Sequence, residues 1–138
     1  MKHSIALVAM TALVMVGCAS YQGIYDRDAV RNAALQSVGL EQVAWTSHDA
    51  SKLPPGMESV VSLNRMSAHI GSIDVKGDSA TVLATYWYDG TFSTAQGERA
   101  GTMKVQRRLQ FIRGSGGQWT QSAPPVEIAR NASWKGTA

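Results

Sequence analysis

Apolar residues first form a stretch from Ile5 to Val16, broken only by Thr11, then recur at helical spacing, and finally alternate with polar residues at strand spacing. In the second zone Ala29, Val30, Ala33, Ala34 and Val38 share one stripe, Asp26 or Asp28 supplies an acceptor for the free amides of a first turn, and Gly39 is a stop signal. This predicts an amphipathic helix ending at Gly39. Leu40 to Trp45 fits either a second helix or a short strand, and His48 to Gly56, containing Pro54 and Pro55, reads as a loop. From Val60 onward the pattern favours sheet. Candidate strands are Met66–Val75 and Ala80–Tyr88, the latter running on to Phe92, with the turn Lys76-Gly77-Asp78 between them. After a distal turn at Ala95–Glu98 come Thr102–Arg113, the turn Gly114-Ser115-Gly116-Gly117, and Gln118–Ser122. Pro124-Pro125 ends the meander, because proline cannot continue a central strand, and leaves a polar C-terminal tail from about residue 124. The fold class is α+β: an N-terminal helix packed on an antiparallel meander of about four strands.

Alternation in the third strand places Met103, Val105, Leu109 and Phe111 on one face and Lys104, Gln106, Arg108 and Gln110 on the other. Arg107 falls on the apolar face. A buried guanidinium without a partner costs several kcal/mol, so Arg107 requires a carboxylate or carbonyl partner, a bulge, or a water-filled cup. Snorkelling to solvent at a strand edge and facing a ligand both stay open. Tyr86, Trp87 and Tyr88 are consecutive, so Trp87 faces opposite to the tyrosines and is a candidate contact surface. Trp134, a lone aromatic in the polar tail, is a second partner candidate unless it folds back over its own sheet.

The N-terminal apolar run ends at the only cysteine, Cys18, after Lys2 as a positive n-region and Gly17 as a small residue. The run is shorter than the ~20 apolar residues a transmembrane helix needs. Met15-Val16-Gly17-Cys18 resembles a bacterial lipobox, with methionine where leucine is usual. The resemblance implies cleavage before Cys18, a diacylglyceryl group on its sulfur and palmitate-type acylation. It divides the chain into a signal peptide at 1–17, a lipidated tether at 18–26 and one periplasmic α+β domain at 27–138. One acyl chain binds a bilayer with K on the order of 10^4 M⁻¹, so two or three make attachment effectively permanent. Ala19 and Ser20 follow the cysteine where an aspartate would resemble an inner-membrane retention signal. The expected location is therefore the periplasmic face of an outer membrane.

Composition narrows the partners. The formal net charge is +3, and the densest basic stretch, Lys104, Arg107, Arg108 and Arg113, lies along one strand without clustered aromatics, which argues against nucleic acid. With three histidines in the chain and no ligand spacing among them, no metal site is expected, and no cofactor either. Ser47-His48-Asp49 contains triad residue types, but neighbours in sequence do not converge as nucleophile, base and orienter must, so it reads as a polar turn. The glycine-rich Gly114–Gly117 segment precedes no helix and is a hairpin turn rather than a phosphate loop.

Ile73-Asp74-Val75-Lys76-Gly77-Asp78-Ser79-Ala80-Thr81-Val82, the aromatic strand after it, Arg108–Arg113 and Gly117-Gln118-Trp119 together resemble the sheet of the NTF2-like (SnoaL-like) superfamily. The resemblance covers about the C-terminal half. It implies a strongly curved sheet and an NTF2-like or cystatin-like cup that holds a ligand, a catalytic site or a partner. The residues that would line such a cup are His69, Tyr86, Tyr88 and Arg107. Two functional classes follow: a non-enzymatic lipoprotein engaging a periplasmic or outer-membrane protein in secretion or envelope assembly, and a small-molecule binder or enzyme using the cup. No coherent acid, base and nucleophile set is visible, which favours the first.

Overall fold

The apolar stripe of the helical zone does not end at Gly39; it continues through Glu41, Ala44 and Trp45, and the helix continues with it. In the computed structural model, which describes the backbone of residues 2–136 and the side chains of residues 23–136, helix α1 spans Lys2–Thr46. The expected stop at Gly39 is thus corrected. Gly39 is not among the residues with positive φ, and a glycine ends a helix only where it takes up the left-handed conformation. The true end lies at Ser47-His48-Asp49. His48 has φ 55°, its amide bonds to Trp45 O at 3.3 Å, and the Asp49 amide bonds to Ala44 O at 3.0 Å, which together form a Schellman cap. Asp49 then caps the short 3-10 turn Ala50–Lys52 by accepting from the Ser51 amide. Residues 18–26, expected as a tether, carry helical backbone. The lipidation expected at Cys18 concerns a side chain outside those described.

The sheet is antiparallel, curved and unclosed. It comprises β1 (Val60–Lys76), β2 (Ser79–Thr94), β3 (Gly97–Arg113), β4 (Trp119–Gln121) and β5 (Val126–Trp134). The first four neighbour one another in chain order, while β5 also pairs with β3. The far edge of β3 is therefore shared, with β4 on Phe111–Arg113 and β5 on Gly101–Arg108. The polar tail expected after Pro124-Pro125 is corrected: it is a fifth strand. Every residue of β5 except Trp134 is exposed, so backbone pairing rather than apolar burial makes the strand, and hydropathy carried no sign of it.

Two devices bend the sheet. All three register irregularities between β1 and β2 add residues to β1, between Val60 and Ser62, Leu63 and Arg65, and Ile70 and Ile73, and a bulged strand bends and gains twist. Gly90 on β2 faces Gly101 on β3. A Cβ on Gly90 would overlap Ser62 O of β1, and one on Gly101 would overlap Ser133 O of β5 and the Trp134 ring. The strands approach closely because neither residue has a side chain.

The core lies between α1 and the inner face of the sheet. Val30, Ala34 and Val38 of the helix meet Val82, Val105 and Leu109 of the central strands, all buried. At the N-terminal end of this stretch Asp26 pairs with Arg113 at 3.1 Å, and Arg113 also holds Asp78 of the β1–β2 turn at 2.6 Å. We expect Gly101→Ala to destabilise the fold by about 2–3 kcal/mol. Gly116→Ala, where a Cβ meets nothing within 4 Å, should stay within about 0.5 kcal/mol of the parent. Urea denaturation measures both.

Candidate functional site

Arg107 stands on the inner face of β3 and is 1% exposed. The strand keeps its alternation there; the bulge lies on the partner strand, where Gln106 faces Ala129 and Arg107 faces Glu127, leaving Ile128 unpaired. Of the alternatives open in the sequence, the structure selects the carboxylate partner. Glu41, two residues past Gly39 on α1, is 8% exposed. Arg107 Nη1 donates to Glu41 Oε1 at 3.2 Å and to the Tyr88 hydroxyl at 2.6 Å. That hydroxyl donates in turn to Glu41 Oε2 at 2.6 Å, which also accepts from Trp45 Nε1 at 3.1 Å. Arg107 Nη2 points to Met57 Sδ at 3.1 Å, and the Tyr86 ring lies under the guanidinium, 4.5 Å from centroid to Cζ. Tyr86 and Tyr88 are near-parallel, with centroids 6.2 Å apart.

This is a closed circuit. Among the described residues no buried side-chain nitrogen or oxygen lacks a hydrogen-bond partner, so the charged pair meets the condition under which burial is tolerated. Burial, followed by the adjacent Glu41 charge, raises the ionisation of the Tyr88 phenol well above the ordinary range. The same two causes, burial first, raise Tyr86. Both phenols are therefore harder to ionise in the folded protein than in the unfolded chain.

The four residues expected to line a cup are not brought together. Arg107, Tyr86 and Tyr88 meet, but His69 is exposed and faces Thr85 on the outer side of the sheet, where the period-two alternation of β1 must put it. Arg107, Glu41 and the two tyrosines occupy the space between helix and sheet, and a depression of about 290 Å³ reaches Glu41 and Tyr86 from the side of Leu53, Pro54 and Gln121. Glu41 was missed in the sequence because the helix was ended two residues before it. The signal was its place in the stripe Val30, Ala34, Val38, Glu41, Trp45. Trp87 is half-buried on the outer face, opposite Lys104 of β3. Trp134 folds back, its ring 5.8 Å from that of Phe92 and under the Arg99 guanidinium. Ser47-His48-Asp49 is the helix cap, and Gly114–Gly117 is a turn closed by Gly117 N to Gly114 O.

On the far side of Trp45 from Glu41, two adjoining depressions lie between the end of α1 and β1. One, about 420 Å³, is bounded by Leu53, Pro54, Met57 and Val60; the other, about 330 Å³, by Leu63, Arg65 and Met66. They share Trp45, His48 and Val61. Among the described residues no group of three or more His, Cys, Asp or Glu is placed to hold a metal ion. No family model matches this chain, and neither a curated protein nor a solved structure matches it.

Removing either member of the central pair strands the other. Glu41→Leu and Arg107→Met should each cost about 3–5 kcal/mol. Together they should cost less than the sum, with a coupling of about 2–3 kcal/mol in a double-mutant cycle; additive losses would show that the two side chains act independently. A phenol whose ionisation is raised by folding contributes stability that is intact below the unfolded tyrosine value, about 10, and is lost as pH rises above it. Alkaline titration of tyrosinate absorbance should therefore show a late phase, above the unfolded tyrosine value, to which Tyr86 and Tyr88 contribute. Tyr88→Phe should reduce the size of that late phase.

Proposed function

We propose that the chain is a lipid-anchored periplasmic protein of the bacterial outer membrane that acts by binding, without catalysis, as an accessory component of the cell envelope. The observation that carries this reading is the boundary at Met15-Val16-Gly17-Cys18, where an apolar run too short to span a bilayer ends on the only cysteine of the chain. A diacylated sulfur accounts for that cysteine, since an unpaired thiol in an oxidising compartment is otherwise a liability.

The interior supports binding at the surface rather than chemistry in a cup. Arg107, Tyr86 and Tyr88 are engaged with one another and with Glu41, so the groups best suited to polarise a substrate are committed to holding helix and sheet together. A partner then meets the exterior: the outer sheet face around Trp87, or the depressions at the end of α1. The partner proposed is a periplasmic or outer-membrane protein involved in secretion or envelope assembly.

Substituting Cys18→Ser tests the anchor. Metabolic labelling with a fatty-acid analogue should disappear and the protein should leave the membrane fraction. Labelling that persists in the variant would refute the reading.

A further inference from the structure

The outer face of the sheet carries an unbalanced charge. Of its three acids, Asp74 is matched to Lys76 at 3.6 Å and Asp89 to Lys135 at 3.5 Å, with Asp89 also accepting from Thr102, while Glu98 stands at the far end of β3, six residues or about 20 Å from Lys104. Lys104 and Arg108, both on the outer face of β3, have no acidic partner among the described residues. The residues opposite them are uncharged on both sides: Trp87 and Asn131 flank Lys104, and Leu83 and Val126 flank Arg108. Four residues apart on one strand, the two cations are spaced by about 13 Å. Gln106 lies midway, between Thr85 and Ala129.

Beside Lys104 and Gln106 the surface dips into a depression of about 220 Å³, bounded on the other side by Ala129, Arg130 and Asn131. An indole, two amides and a hydroxyl thus surround two unneutralised cations across three adjacent strands. Amides and hydroxyls both donate and accept, which suits a ligand whose own groups do both, and the indole offers an apolar platform with one face. Sugar rings have this combination, with hydroxyls at the rim and C–H groups on the faces. An anionic lipid surface is less well matched, because Trp87 is half-buried and does not protrude as an interfacial anchor would.

We propose that the outer face of β2, β3 and β5 binds an anionic glycan strand, one sugar ring against Trp87 and acidic groups on Lys104 and Arg108. This goes beyond the binding role proposed above and does not depend on the lipid. Cys18→Ser should leave glycan affinity unchanged, so failure of the anchor and failure of the glycan site are separate results.

The experiment titrates the full chain in detergent with polygalacturonate oligomers, with neutral dextran and phosphatidylglycerol-containing phosphatidylcholine vesicles as competing probes. Polygalacturonate should bind and weaken with added salt, and dextran should not bind. The pair Lys104→Gln with Arg108→Gln should lower affinity about 10-fold, or about 1.4 kcal/mol, and Trp87→Ala by a similar factor. Arg31→Gln, an exposed cation of the helix, should change it less than about 2-fold. If Trp87→Ala lowers the thermal midpoint, Trp87→Leu keeps an apolar side chain while removing the ring, and should show the same loss. Affinity unchanged by the Trp87 variants, equal binding of dextran, or binding of vesicles without polygalacturonate would each overturn the assignment.

Discussion

The ion pair between Arg107 and Glu41 is the constraint on which the arrangement of helix and sheet depends. Each residue is untenable alone in that interior, since an unpaired buried charge costs several kcal/mol. Together with the Tyr88 hydroxyl and the Trp45 indole they form a circuit in which every polar atom is used. A hydrophobic interface alone lets a helix slide or rotate by a residue with modest penalty. This one does not, because a shift of α1 in either direction would remove the carboxylate from the guanidinium.

A second pair fixes the other end. Asp26 and Glu41 are separated by 15 residues of helix, about 22 Å at helical rise. Arg113 and Arg107 are separated by six residues of strand, about 20 Å. The two intervals match only if α1 runs antiparallel to β3 and nearly along it, so the charged residues set both the direction and the axial position of the helix. Between the clamps the apolar stripe of Val30, Ala34 and Val38 shares one buried core with Leu109 and Phe111 of β3. The six-residue spacing on β3 keeps both arginines on the inner face, as an even separation in a strand must.

Much of this is legible in the sequence. The α+β class, the hairpins and the faces of β3 follow from alternation and turn chemistry, and the need of Arg107 for a partner follows from its position among Val105 and Leu109. The identity of the partner did not follow, because Gly39 was read as a terminator. A glycine in a helix is a stop only if the chain beyond it turns away, and here the stripe beyond it was still unsatisfied. The strand β5 was hidden for a different reason. Its side chains are exposed, so its sequence resembles a tail, and what orders it is the vacant edge of β3, a property of the fold and not of the segment. The expected meeting of His69 with Arg107 failed on the simplest rule, since residues of β1 that flank Ala68 face away from the helix.

The shared edge of β3 divides the sheet into parts of unequal permanence. The strands β1, β2 and β3 are continuous through hairpins and sealed by the helix, whereas β5 is attached by its ladder, by Arg130 to Gly56 O, and by the single indole of Trp134 over Gly101. A segment held mainly by exposed backbone hydrogen bonds opens at lower free energy than the body it lies on. The C-terminal strand is in that sense a detachable closure. When it lifts, it uncovers a length of β3 edge, from Gly101 to Arg108, that a strand of another chain can occupy with the same ladder and without disturbing the clamps on the helix.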